Sequence, residues 1–148
     1  MIYIASDHTG FEMKEGLKEY LLLRGYKVKD LGPQKKDRVK YPEFAKNVGR
    51  AVVAEVNSRG ILISGTGAGM CIAANKVKKI RASVVFNEEL AEKTRMEDNA
   101  NMLCLPSNFI ALELAKNIVG TWLSTSFSGV DYYVECNKMI GEIENNEH

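Results

Sequence analysis

Short apolar runs alternate along the chain with longer segments in which apolar residues recur every three or four positions. The short runs predict five β-strands, over residues 1–6, 26–29, 60–64, 81–86 and 102–105. The longer segments predict helices over residues 11–24, 41–56, 71–74, 88–96, 110–123 and 130–143. The polar tail, residues 141–148, is expected to fray.

The order of these elements predicts the architecture. Strands separated by helix-length segments form right-handed βαβ units, which build a parallel sheet covered by helices on both faces. The run Gly60–Ser64 is continuously apolar up to its last residue, as in a strand buried on both faces of such a sheet. Since no repeat or linker divides the chain, we predict one domain over residues 1–148. The predicted fold class is α/β, a three-layer α/β/α sandwich around a five-stranded parallel sheet.

Composition and charge exclude several classes of protein. A chain of 148 residues with 45% hydrophobic and 26% charged residues is typical of a globular domain. The formal net charge of +1 gives no basic field for nucleic acid, and no apolar run approaches the roughly 20 residues that span a bilayer. The N-terminus lacks a basic region before its short apolar run, and the three cysteines show neither a disulfide nor a zinc pattern. We therefore expect a reduced, cytoplasmic protein with no nucleic-acid or membrane partner.

Charge is distributed unevenly along the chain. Residues 1–95 hold 18 Lys and Arg against 11 Asp and Glu, whereas residues 96–148 hold 2 against 8. Such an asymmetry indicates either a partner of opposite charge or two differently charged solvated faces.

Three segments carry the candidate chemistry. Ligands bind beyond the carboxyl ends of the strands in an open parallel sheet, and there we expect SDHTG (6–10), SGTGAGM (64–70) and MEDNAN (96–101) to meet. The glycines of SGTGAGM allow close backbone approach, and free N–H groups at a helix start bind an anion or a developing oxyanion. The loop has neither the GxGxxG of a dinucleotide site nor the GK[ST] of a P-loop, so we expect no NAD or ATP. The alternative is a tight turn that binds no ligand.

Two pairs of titratable residues are candidates for proton transfer. Asp7 and His8 follow a buried strand directly and suit general acid–base catalysis, although Asp7 could instead cap the next helix. Glu97 and Asp98 form a second candidate pair, or else a solvated surface. Cys71 follows Met70 on an apolar helix face, so we interpret its thiol as core rather than nucleophile.

Motifs spread over the whole chain give a more specific indication. Together SDHTGFEMK, YPEFA, GILISGTGAGM, IAANK, IRA and ALELAKNIVGTWL resemble the ribose-5-phosphate isomerase B family, which includes the galactose-6-phosphate isomerase subunits. The resemblance implies a Rossmann-like sandwich that assembles as a homodimer or a tetramer of such dimers. It implies aldose–ketose interconversion of a sugar or sugar phosphate through a cis-enediolate, with no metal and no cofactor. It also implies an active site between two subunits, with the C-terminal helix, residues 130–143, packing on the partner.

The resemblance also assigns site residues. Asp7 and His8 match the ring-opening and substrate-binding pair, and the N–H groups of the loop Thr66–Gly69 would hold the enediolate oxygen. Asn75 and Lys76 match as well. The implied catalytic positions are Asp7, His8, Ser64, Thr66 and Glu97. The implied substrate-binding positions are Tyr41, Gly65, Gly67, Ala68, Gly69, Met70, Asn75, Asp98, Asn108, Asp131 and Glu135.

Several of these positions depart from the family pattern. Ser64 stands where most of the family has a cysteine base, and Met70 stands where some relatives have a glutamate, so neither familiar base is present. Glu97 and Asp98 stand at the positions of a ring-opening histidine and its adjacent asparagine. The positions of the family's phosphate-binding arginines are Asn108, Asp131 and Glu135.

These departures leave three hypotheses. The first is an aldose–ketose isomerase with an altered substrate preference, in which Glu97 replaces the missing acid–base group. The second is a non-catalytic or half-site subunit of a hetero-oligomeric isomerase, or a sugar-binding homologue without turnover. The third is a divalent-metal site, because hard carboxylate oxygens suit magnesium or manganese. It would be built from Asp7, His8 and Glu97 together with Asp131 and Glu135 of the partner subunit.

Overall fold

The computed structural model describes residues 1–147. Within that range the strands are β1 (Ile2–Ser6), β2 (Val28–Asp30), β3 (Arg59–Ser64), β4 (Ala82–Val84) and β5 (Met102–Pro106). The helices are α1 (Phe11–Leu23), α2 (Tyr41–Ala54), α3 (Ala68–Asn75), α4 (Glu88–Asp98), α5 (Leu112–Ser124) and α6 (Asp131–Glu147). Strands and helices alternate as far as α5, and α6 follows α5 directly.

All five strands run parallel, in the order β2-β1-β3-β5-β4. β1 pairs with β3 over its whole length, from Ile2 opposite Arg59 to Ser6 opposite Ile63. From β1 the chain continues to β2 on one side, and from β3 it continues to β4 on the other side of the sheet. This reversal is a topological switch point, where the loops after the two strands diverge and leave a crevice for a ligand.

Two apolar cores, one on each face of the sheet, hold the three layers together. Successive side chains of a strand point to opposite faces. Ile61 and Ile63 therefore join the core under α1, α4 and α5, whereas Leu62 joins the core under α2 and α3. All three side chains are fully buried. The prediction that this strand is covered on both faces is confirmed.

A buried ion pair joins α1 to the end of β2. Lys14 is fully buried, and its Nζ donates hydrogen bonds to Asp30 Oδ1 at 2.9 Å, to Asp30 Oδ2 at 2.7 Å and to the Pro33 carbonyl at 2.6 Å. Lys18 adds a further hydrogen bond to Asp30 Oδ2 at 2.7 Å. Burial alone would raise the pKa of the Asp30 carboxyl, but the hydrogen bonds from two lysines and a backbone amide outweigh it and lower that pKa.

The predicted α/β/α sandwich with five parallel strands is confirmed, and the ends of several elements differ from the prediction, including those of α2 and α6. α2 ends at Ala54, because the chain becomes extended at Glu55 and leaves Val56 88% exposed. The expectation that the tail frays is wrong for residues 141–147, which continue α6 as one helix of 17 residues. Within the described range, none of the helices combines the length and the apolar character needed to cross a membrane.

We predict that Asp30→Asn lowers the free energy of unfolding by about 3–5 kcal/mol, because it leaves the buried Lys14 ammonium without its counter-charge. Urea denaturation measures the loss. Glu15→Gln is the matched control, since the Glu15 carboxylate lies 3.5 Å from the same ammonium but its side chain is 45% exposed. The control should lose less than about 1 kcal/mol. Equal losses in the two variants would contradict the role given to the buried pair.

The same ion pair makes the free energy of unfolding depend on pH. Because the folded state lowers the pKa of Asp30, the stability that this carboxylate contributes is present above its unfolded pKa, near 4, and is lost as the pH falls through the folded value. The acid side of the stability–pH curve should therefore be flatter in Asp30→Asn than in the unmodified protein.

Candidate active site

A pocket of about 250 Å³ opens at the carboxyl ends of β1 and β3, at the topological switch point. The residues that line it are Asp7, Thr9, Tyr41, Ser64, Gly65, Thr66, Gly69 and Met70. All of them except Thr9 are positions that the sequence predicted. Thr9 follows Asp7 by two residues in the same turn, and that adjacency is the signal that could have found it.

The turn after β1 presents Asp7 and His8. Asp7 Oδ1 accepts hydrogen bonds from Thr9 Oγ1 at 2.6 Å and from Gly10 N at 2.9 Å, which fixes the start of α1. Asp7 therefore stabilises the turn before α1, whose N-cap is Gly10, and also forms part of the pocket wall. His8 is half-buried, and its Nδ1 atom is buried without a hydrogen-bond partner within residues 1–147. A buried nitrogen in that state is unfavourable unless a ligand or water supplies a partner.

The loop after β3 leads into α3 through a left-handed glycine. Gly67 has φ +73°, a conformation that costs glycine no steric strain. Its N–H donates to Ser64 Oγ at 3.2 Å, and the Ala68 N–H donates to Thr66 Oγ1 at 3.2 Å. The later N–H groups in the first turn of α3 have no intrahelical acceptor, as at any helix start. Such converging N–H groups stabilise negative charge on an oxygen.

Two side chains lie close over this loop. A Cβ atom added to Gly69 would stand 2.5 Å from Tyr41 Oη, and one added to Gly65 would stand 2.7 Å from Asn108 Nδ2. Tyr41 is the first residue of α2, and the N–H of Asn108, which follows β5, donates to the Gly65 carbonyl at 3.0 Å. The structure therefore brings Tyr41 and Asn108 together with the loop.

Met70 and Cys71 belong mainly to the apolar core. Met70 lies on α3 and is fully buried in the core between the sheet and α2, although it also contributes to the pocket wall. Cys71 is 9% exposed, and its thiol donates to the Ala82 carbonyl at 3.3 Å. The interpretation of Cys71 as a core residue is confirmed.

Asn75 lies outside the pocket, at the far end of α3 from the loop. Its Nδ2 donates to the Ala82 carbonyl at 3.0 Å, and its Oδ1 accepts the Ala82 N–H at 2.8 Å. The amide thus pairs with the backbone at the start of β4, as a neighbouring strand would. Within this chain the Asn75 side chain is bonded to the backbone, and its placement beside a substrate stays a prediction. Lys76 directly follows as the C-cap of α3.

Glu97 and Asp98 lie at the amino ends of the strands, whereas the pocket lies at their carboxyl ends. α4 runs antiparallel to the strands, so it ends where β5 begins. The six residues of β3 alone separate the two edges by roughly 17 Å. The expectation that MEDNAN meets the other two loops within one chain is therefore wrong. A segment that directly precedes a parallel strand lies at the amino end of that strand, not at its carboxyl end.

The end of α4 contacts α6. Asn137 Nδ2 donates to the Glu97 carbonyl at 3.1 Å. The Glu97 carboxylate raises the pKa of the Tyr133 hydroxyl, and Lys93 Nζ lies 3.7 Å from Glu97 Oε1. Desolvation, with a smaller effect of the neighbouring Glu97, raises the pKa of the Asp98 carboxyl.

Asp131 and Glu135 belong to this second group of predicted site residues. Both are exposed on α6, one turn apart. One chain therefore does not bring Glu97, Asp131 or Glu135 to Asp7. Among residues 1–147, no group of three or more His, Cys, Asp and Glu side chains is placed to hold a metal ion. A metal site of the hypothesised composition would need two chains.

The fold and the pocket together define an open α/β protein whose crevice is built around a glycine-rich strand-to-helix loop. The sequence model of the Ribose/Galactose Isomerase family matches residues 2–139. The chain belongs to this family.

Individual relatives agree with this assignment. The ribose-5-phosphate isomerase B of Escherichia coli is 40% identical over 128 residues, which cover 86% of each chain. The structure of the Clostridium thermocellum ribose-5-phosphate isomerase B is similar with a TM-score of 0.95, at 42% identity over 99% of each chain. The Mycoplasma genitalium ribose-5-phosphate isomerase B with bound ribulose-5-phosphate has a TM-score of 0.93, at 40% identity over 97% of this chain and 95% of that one. The family resemblance and the Rossmann-like sandwich that it implied are confirmed.

We predict that Gly67→Ala lowers the free energy of unfolding by about 1–2 kcal/mol, because an alanine at φ +73° is strained. Its Cβ would also stand 3.3 Å from the Leu105 carbonyl carbon. Gly141→Ala is the control, since it lies in α6 and an added Cβ there meets nothing within 4 Å. The control should gain up to about 1 kcal/mol. Denaturant unfolding of both variants tests the prediction, and a stabilised Gly67→Ala would contradict it.

Proposed function

We propose that this chain is an aldose–ketose isomerase that acts on a sugar phosphate through a cis-enediolate. The observation that carries the proposal is the pocket in which Asp7 and Ser64 lie beside the glycine-rich loop and the first turn of α3, where N–H groups lack an intrahelical acceptor. An enediolate needs such donors, since negative charge develops on its oxygen in the transition state. The Mycoplasma genitalium relative with bound ribulose-5-phosphate supports the substrate class.

In the proposed reaction, Asp7 and His8 open the sugar ring, and a base then takes the proton from C2. The electron pair forms the C1–C2 double bond, and the C1 oxygen becomes an oxyanion held by backbone N–H groups of the loop Thr66–Gly69. In total, one proton moves from C2 to C1 and one moves from the C2 hydroxyl to the C1 oxygen. The reaction therefore needs neither an oxidant nor a reductant.

The base is what a single chain lacks. Ser64 Oγ is buried and accepts the Gly67 N–H, and an aliphatic hydroxyl is a far weaker base than a thiolate. Met70 has no titratable group. Glu97 stands at a family acid–base position, but within its own chain it lies at the opposite end of the strands from the pocket. The proposed site therefore uses Glu97 of the partner subunit.

A homodimer would bring the two groups of predicted site residues together. α6 has no buried residue, and its exposed large apolar side chains include Tyr132, Val134, Met139, Ile140 and Ile143. Covering such a face in a second copy is favourable. A two-fold axis would make the exchange reciprocal, with each chain completing the pocket of the other. The acidic character of residues 96–148 and the basic character of residues 1–95 support the same pairing.

Phosphate recognition must differ from the family pattern. None of the residues lining the pocket in the described range is a lysine or an arginine. Asn108, Asp131 and Glu135 stand at the family's arginine positions, and a carboxylate there repels a phosphate by roughly 3 kcal/mol at about 6 Å and an effective dielectric near 20. We therefore expect weak turnover of ribose 5-phosphate compared with family members that retain the arginines, and a preference for another sugar or sugar phosphate.

We predict that Ser64→Cys raises kcat for ribose 5-phosphate by about 10²-fold or more, because it places a thiol with an ordinary pKa near 8.5 at the family's base position. The pH–rate profile of the variant should rise toward that pKa, whereas that of the unmodified protein should not. Ser124→Cys, which adds the same thiol on the exposed end of α5, is the control and should change nothing. Identical rates in all three proteins would show that a thiol introduced at position 64 does not act as the base.

We predict that Asp7→Asn and Glu97→Gln each lower kcat by about 10²–10⁴-fold on whichever sugar is turned over. If the two residues meet across a dimer, refolding an equimolar mixture of the variants should restore about a quarter of the unmodified activity. Half of the dimers are then mixed, and each mixed dimer has one intact site of two. Glu92→Gln, an exposed carboxylate on the same helix α4, is the control and should retain full activity.

Four results would contradict these proposals. A monomer by light scattering, or no recovery on mixing, would exclude the shared site. Unchanged turnover in Glu97→Gln would make Glu97 a surface carboxylate. Failure of the unmodified protein to turn over any sugar or sugar phosphate would favour the half-site subunit over the isomerase.

A further inference from the structure

A second cavity lies at the amino ends of β3 and β5, at the opposite edge of the sheet from the candidate active site. Its volume is about 390 Å³. It is bounded by the end of α2, the end of α4 and the turns that lead into β3, β4 and β5. The charged residues that line it are Glu55, Arg59, Lys79, Arg81 and Arg95. Three guanidinium groups from separate elements therefore converge on one cavity.

Uncharged acceptors hold the three guanidinium groups in place. The closest hydrogen bonds run from Arg59 Nη1 to the Trp122 carbonyl at 3.1 Å, from Arg81 Nε to the Asn99 carbonyl at 2.8 Å and from Arg95 Nη1 to the Ala100 carbonyl at 2.5 Å. Among residues 1–147, no carboxylate oxygen lies within 4.0 Å of any of the three. The Nη2 atoms of all three have no acceptor in the same range.

Helix capping accounts for part of this arrangement. Trp122 and Leu123 stand in the last turn of α5, and Asn99 and Ala100 directly follow α4. Cations stabilise the carbonyl groups at helix C-termini, but each terminus carries only about half a negative charge. Two helix ends therefore do not balance three guanidinium groups and a lysine.

The guanidinium groups also disfavour one another. Burial, and then the charges of Arg59 and Arg81, lower the pKa of the Arg95 guanidinium to about 10. Burial likewise lowers the pKa values of Arg59 and Arg81. Like charges that are desolvated together without a counter-ion oppose folding.

The nearby carboxylates have other partners. Glu55 accepts a hydrogen bond from the Tyr3 hydroxyl, and Glu144 Oε1 accepts the Lys79 N–H at 2.8 Å. Glu144 is also near enough to offset part of the effect of burial on Arg81. Counting both carboxylates, the cavity keeps an excess of positive charge.

We propose that this cavity binds a phosphate-class oxyanion carried by a small metabolite. Guanidinium groups match the geometry of phosphate oxygens and bind them with charge-assisted hydrogen bonds. Since backbone carbonyls already fix these side chains, binding requires little further ordering. A volume of about 390 Å³ accommodates a small phosphorylated molecule. The length of the strands, roughly 17 Å, separates this anion site from the pocket at the carboxyl edge.

The test is an NMR titration of the full-length, ¹⁵N-labelled protein with inorganic pyrophosphate at constant ionic strength. We expect saturable amide shifts at Lys79, Arg81 and Asn99, which line the cavity. Arg81→Gln should weaken the affinity about tenfold or more, because it removes a charged hydrogen-bond donor. Arg38→Gln removes the same charge from an exposed loop and should leave the affinity unchanged.

Shifts confined to residues 65–70, or shifts that do not saturate, would overturn the proposal. Equal affinities in Arg81→Gln and Arg38→Gln would overturn it as well. If Arg81→Gln does not fold, the proposal is tested with Lys79→Gln, because the Lys79 side chain is exposed. A severalfold loss of affinity in that variant supports the site, and an unchanged affinity excludes it.

Discussion

All five strands point the same way, so every connecting helix must run back along the sheet and every loop belongs to one of two edges. The loops after β1 and β3 lie at the carboxyl edge, where they form the pocket with Asp7 and the glycine-rich turn. The turns that lead into β3, β4 and β5 lie at the amino edge, with the arginine-lined cavity. The chemistry of the molecule is divided between these two edges because the sheet is parallel.

Helix polarity gives the two edges different means of binding an anion. Helices that follow the strands begin at the carboxyl edge, so α3 offers backbone N–H groups there without any cationic side chain in the pocket wall. α4 and α5 end at the amino edge and present carbonyl groups, which draw Arg59, Arg81 and Arg95 to them. The first kind of site suits charge that appears during a reaction, and the second suits a ligand that is already charged.

The sequence predicted features that depend on neighbouring residues. It did not predict features that depend on contacts between residues far apart in the sequence. The apolar run of β3 and the periodicity of the helices predicted the layers, and direct adjacency to β1 or β3 predicted most of the pocket. Glu97 was placed at the wrong end of the sheet because its segment precedes β5 rather than follows a strand, and the prediction did not use that order. Arg59, Arg81 and Arg95 are far apart in sequence, and only the folded chain puts them on one cavity.

The serine at the end of β3 has a consequence for chemical inhibition. Cys71 and Cys104 are buried in the core, and Cys136 is half-buried on α6, so none of the three thiols lines the pocket. Ser64 Oγ is itself buried and engaged by the Gly67 N–H. An alkylating electrophile designed for a cysteine at this position would find no nucleophile to capture. Covalent inhibitors of cysteine-containing relatives would therefore spare this protein, and the one hydroxyl group at position 64 would separate susceptible from resistant members of the family.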